Sequence, residues 1–105
     1  LRLGVVPIDT LCYLIYPMSK TWRAHSDTTL TLIDSTGAEI AVQNIRIPCG
    51  GSHLIFMNQM FNAKLRARAG VGGYVQVRDL GCRLFGYHGL TDGRGAFSLD
   101  HMFGF

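Results

Sequence analysis

A chain of 105 residues, 48% hydrophobic and 16% charged, suffices for one hydrophobic core and is too apolar for a disordered segment, so residues 1–105 read as a single domain. Ten Lys and Arg against seven Asp and Glu leave a formal charge of +3, with only Lys64, Arg66 and Arg68 gathered together; a nucleic-acid footprint needs its cations in one stripe. No run approaches the ~18 apolar residues of a membrane helix. Charge this scarce on so small a body suggests that another chain covers part of its surface.

Leu11 to Tyr16, closed by Pro17, is an apolar run of strand length and reads as a strand buried on both faces. Met18 to Ser26 is a loop. Asp27 to Asp34 alternates, Leu30 and Leu32 against Thr29, Thr31 and Ile33, and a turn at Asp34-Ser35-Thr36-Gly37 joins it to Glu39–Val42 as a hairpin. Ile45–Ile47 and Ser52–Phe56 are short strands separated by the bend Pro48-Cys49-Gly50-Gly51.

From Asn58 to Arg68 the apolar period lengthens to three and four, which predicts one short helix with Asn58 as its N-cap and Gly70 beyond its end. Tyr74–Asp79, Cys82–His88 and Ala96–Phe103 are the last strands. A hairpin loop over residues 89–95, centred on Asp92, sets Phe85 opposite Leu99 and Tyr87 opposite Phe97. Phe85, Tyr87, Phe97, Leu99 and Phe103 then form the core side. Leu84, His88, Ser98 and Met102 form a semi-apolar outer side suited to an oligomer interface.

About seven to eight short strands with one helix predict an all-β fold, an antiparallel β-sandwich or jelly roll. The three cysteines, Cys12, Cys49 and Cys82, are odd in number with no Cys-x-x-Cys, which suggests reduced thiols in a cytoplasmic protein. The apolar stretch from Leu11 has no basic leader or cleavage site, although a chain beginning at Leu1 leaves room for residues upstream.

Candidate sites are few. Trp22, Arg23 and His25 share a loop, where an indole beside a guanidinium can stack on a ligand. His53, His88 and His101 would hold a transition metal ion if the fold brings them together. Cys49 near His53 is the better placed of the thiols for nucleophilic work, but no nucleophile elbow surrounds it.

Pro48-Cys49-Gly50-Gly51-Ser52-His53 resembles the second cupin signature, which implies a jelly roll with His53 as a metal ligand. The downstream asparagine falls one position late at Asn58, Val42 stands where a glycine is expected, and no His-x-His precedes. In strand pattern the chain resembles the small soluble β-sandwich transducers associated with sensory rhodopsins, which implies fold alone.

Two functions are expected from these readings. The first is a non-catalytic binding or assembly module, a homo-oligomer with a protein partner or small ligand and no cofactor. The second is a small cupin-like jelly roll that binds a metal or ligand through its histidines.

Overall fold

The computed structural model describes residues 1–4, 7–17 and 23–102. Seven strands form two antiparallel sheets, as expected of a sandwich. The strands are β1 (Asp9–Ile15), β2 (Thr28–Ile33), β3 (Glu39–Ile45), β4 (Ser52–Phe56), β5 (Tyr74–Arg78), β6 (Phe85–Thr91) and β7 (Phe97–Met102). One sheet has the order β4-β1-β6-β7 and the other β3-β2-β5. Residues 1–3 run along the free edge of β5: Val75 N–H donates to the Leu1 carbonyl at 2.7 Å and Leu3 N–H to the Gly73 carbonyl at 3.2 Å.

The β2–β3 hairpin follows from its turn residues. Asp34 Oδ1 accepts from the Thr36 hydroxyl at 2.6 Å, from Thr36 N–H at 2.9 Å and from Ala38 N–H at 3.0 Å. These bonds, the Thr36 hydroxyl foremost, hold the Asp34 carboxyl below its ordinary range. Gly37 has φ +90°, a conformation that side chains rarely adopt. The separate strand expected at Ile45–Ile47 is instead the end of β3, with Ile47 continuing as a fully buried loop residue.

The single helix expected over Asn58–Arg68 is two, α1 (Met57–Met60) and α2 (Ala63–Ala69). They part because Phe61 and Asn62 turn extended: Phe61 is fully buried in the core, and the Asn62 side chain caps α2 by accepting from Leu65 N–H at 2.9 Å. Asn58 does not cap; its N–H donates to Asp9 Oδ1 at 3.1 Å.

One buried cluster draws on both sheets and both helices: Leu14 and Ile55 from the larger sheet, Leu32 and Val75 from the smaller, Phe61 and Ala69 from the helical segment. The β6–β7 hairpin corrects two expectations. Its centre lies at Arg94, not Asp92, so that Tyr87 pairs with His101 and Gly89 with Leu99. The Asp92 side chain explains this by closing the tip over residues 92–96, accepting from Arg94 N–H at 2.7 Å and Ala96 N–H at 3.2 Å.

The shift is even, so the same residues share a face, but inside and outside are exchanged. Leu84 is fully buried, and Met102 packs against the core with its sulfur 3.6 Å from Cys12 Sγ. Neither belongs to an outer interface. Phe85, Tyr87, Phe97 and Leu99, expected in the core, point outward. Gly86 fits this arrangement: a β-carbon there would collide with the Tyr13 carbonyl of the neighbouring strand, so that inner position takes no side chain.

Candidate functional site

The outer face of the four-stranded sheet is its first notable surface. Paired residues share a face, and the ladder sets Leu54, Tyr13, Tyr87 and His101 in one row and Phe56, Leu11, Gly89 and Leu99 in the next. Tyr13 donates its hydroxyl to Ser52 Oγ at 2.9 Å, and the Tyr87 and His101 rings lie 5.0 Å apart. Exposure rises toward the β7 edge, from 37% at Tyr87 to 53% at Leu99 and 68% at Phe97. On the strands of this face the ionisable groups besides the tyrosines are Asp9 at one end and His101.

The outer face of the three-stranded sheet is polar. Arg78, Thr29 and Asn44 form one row, and Asp27 and Arg46 extend it beyond the strand ends. Two adjoining hollows of about 290 and 450 Å³ share Asp27 and Thr29 and make one groove. Arg46 joins two sides of the second hollow, with Nε 3.4 Å from Asp27 Oδ1 and a terminal nitrogen 3.5 Å from His25 Nε2. His25 is half-buried, and its Nδ1 is shielded without a partner among the described residues.

Arg23 closes the other end of the groove and is held there from both sides. The buried Tyr16 hydroxyl accepts from Arg23 N–H at 3.1 Å and donates to the Arg23 carbonyl at 2.9 Å. Contact with the Cys82 thiol and burial raise the Tyr16 pKa, so the phenol keeps its proton. The Arg23 guanidinium lies against the Gly81 backbone, its Nε 2.7 Å from where a β-carbon at Gly81 would stand. Asp79 shapes the loop carrying Gly81: Oδ1 accepts from the N–H groups of Gly81 and Cys82 at 2.8 Å each, and Oδ2 from the fully buried Thr28 hydroxyl at 3.0 Å.

Of the residues singled out from the sequence, Arg23 lines this groove and His25 meets it through Arg46; Trp22 lies outside the described residues. Arg78, Thr29 and Gly81 were missed because strand alternation marks them as ordinary surface and turn positions.

The three histidines proposed for a metal do not share a face. His53 pairs with Leu14, and His88 with Cys12 and Asp100, on the inner side, whereas His101 pairs with Tyr87 on the outer side. Two strand spacings and one row also separate His53 from His88, roughly 12 Å. Among the described residues no three His, Cys, Asp or Glu side chains gather as a metal site.

His88 does line an inner-side hollow of about 360 Å³, with Arg2, Thr10, Ser98 and Asp100. Ser98 is exposed there, so the only expected interface residues that remain accessible, Ser98 and the half-buried His88, face this hollow. The cupin-like fragment is a bend. Gly50 takes φ +81°, and a β-carbon on Gly51 would stand 2.8 Å from the Pro48 ring.

Cys12 is buried, which pushes its thiol up to about 12, and Cys49 is half-buried with its N–H donating to the Ala24 carbonyl at 2.9 Å. Family models, curated protein sequences and solved structures all give no match to this chain.

Proposed function

We propose that the protein is a non-catalytic assembly module that self-associates through the outer face of its four-stranded sheet. The observation that carries this reading is the continuous apolar surface formed by Tyr13, Leu54, Phe85, Tyr87, Phe97 and Leu99 on four adjacent strands. Scattered apolar residues are normal on a protein surface, but a contiguous patch marks a contact site.

A second copy is the fitting occupant. The chain carries a net charge of +3, yet this face holds its charge at the margins, Asp9 at one end and at the other the Arg83 guanidinium, 5.8 Å over the Phe85 ring, so a two-fold pairing of the apolar centre sets few like charges against each other. Four strands ~4.8 Å apart and about seven residues long present a footprint of roughly 19 by 22 Å. That footprint is about half of the ~800 Å² per partner of a standard interface, which suits a weak dimer. Two such faces would pack ~10 Å apart, like the two sheets of a sandwich. The unbridged cysteines favour a reducing compartment such as the cytoplasm. Among the described residues no helix is long and apolar enough to cross a membrane.

Light scattering coupled to size-exclusion chromatography tests the reading. The wild type is expected to run as a dimer at tens of micromolar. Leu99→Lys is expected to run as a folded monomer whose unfolding midpoint no longer depends on protein concentration, since a charge in place of an apolar anchor weakens association by ~100-fold or more. A monomeric wild type at that concentration sinks the proposal. A heterologous partner on the same face would show as a monomer that dimerises only with that protein.

A further inference from the structure

The groove on the opposite side of the molecule does not depend on the assembly reading, and its chemistry is different. We propose that it binds a small molecule carrying an oxyanion, a carboxylate or a phosphate, between the guanidinium groups of Arg23 and Arg78.

Both arginines line the hollow of about 290 Å³ with Thr29, Asp27, Asp79 and Gly81. Neither has a carboxylate partner among the described residues, where the ion pair is Arg46 with Asp27. Asp79 keeps its negative charge, but both its oxygens are turned to Thr28, Gly81 and Cys82, where they fix the loop. With Arg46 offsetting Asp27, the two guanidinium groups of the hollow must outweigh the repulsion Asp79 exerts on an anion.

Exposed arginines usually sweep a wide volume, and ordering one costs side-chain entropy. Here the fold restrains part of that motion. Tyr16 clamps the Arg23 backbone on both its N–H and its carbonyl, and the guanidinium lies over Gly81, where a side chain would displace it. Its planar fork of N–H donors matches the two oxygens of a carboxylate or phosphate. The volume admits an oxyanion with a short carbon skeleton, which the continuing groove would direct along Thr29 toward Asn44.

Gly81→Ala separates a positioned site from general positive charge. Gly81 does not have positive φ, so alanine is compatible with its backbone, and the atoms in its way are the flexible end of Arg23. The variant is expected to fold, keep every charge and displace the guanidinium.

Isothermal titration at low ionic strength, with inorganic phosphate and separately with succinate, should give saturable one-to-one binding of at least one probe. Phosphate alone, or succinate alone, identifies the class of oxyanion. Arg23→Ala, Arg78→Ala and Gly81→Ala should each weaken binding tenfold or more, and Arg23→Lys should weaken it as well although it keeps the charge. Arg94→Ala, in the exposed loop at the far hairpin tip, should leave it unchanged. The proposal is overturned if neither probe saturates, if Arg78→Ala binds normally, or if Arg94→Ala weakens binding as much as Gly81→Ala.

Discussion

The two outer faces of the sandwich differ: one follows the usual expectation for strands and the other inverts it. On the three-stranded sheet the core side carries Leu30, Leu32, Val75 and Val77 and the outer side Thr29, Asn44, Gln76 and Arg78, the alternation of a sheet with one wet face. On the four-stranded sheet β6 turns Gly86 and His88 inward and Phe85 and Tyr87 outward. The first face is dressed for water and for a charged ligand, the second for another apolar surface. Apolar character alone thus does not report which face of a strand meets the core.

The hairpin β6–β7 and the residue preceding it give the sharpest way to break this contrast. Leu84→Ala should cost about 2–5 kcal/mol of unfolding free energy in a denaturant titration, as expected of a fully buried leucine, and leave the oligomer mass unchanged. Phe97→Ser, on the outer face, should do the reverse: stability within about 0.5 kcal/mol and a weakened dimer. If the two variants exchange behaviour, the faces have been assigned the wrong way round.

A smaller effect is expected at Asp79. Asp79→Ala leaves the N–H groups of Gly81 and Cys82 and the buried Thr28 hydroxyl without their acceptor, which should cost about 1–3 kcal/mol.

The thiols sharpen the same picture of a closed interior. Cys49 should react first with an aromatic disulfide reagent, and Cys12 should stay silent until unfolding. The Cys12 pKa is raised from 9.0 to about 12, so the folded state favours the protonated thiol. Its contribution is therefore complete below pH 9 and is lost as pH climbs toward 12. Cys12→Ala should flatten the alkaline fall of a thermal unfolding curve followed across that window.

The smallest effect is at the β2–β3 turn. Asp34 has a lowered pKa, so its stabilisation is present above the ordinary carboxylate value and fades as pH falls through the folded one. Asp34→Asn should reduce the acid-side slope of the melting temperature and leave neutral behaviour almost unaltered.

Local chemistry carried much of the fold into view. The alternation around Leu30 and Leu32, the Asp34 to Gly37 turn, the Pro48 to Gly51 bend and a pattern of about seven to eight strands all rest on contacts a few residues apart, and they are legible in the chain. The break at Phe61 was not, since that side chain leaves the helical path only because a core from both sheets receives it.

The candidate site was legible to the extent of Arg23 and His25. Its other half, Arg78 on β5 and Gly81 beyond it, reaches Arg23 through strand pairing and the Asp79 loop, contacts more than forty residues apart that no local pattern encodes. The same holds for the histidines, whose separation is decided by register and parity across β1 and β6. Sequence by itself determined that this chain makes a β-sandwich, because strand propensity, alternation and turn residues act over short range. Which face of β6–β7 meets water, and which arginines meet each other, was decided only by tertiary packing, because both depend on the space that distant residues leave.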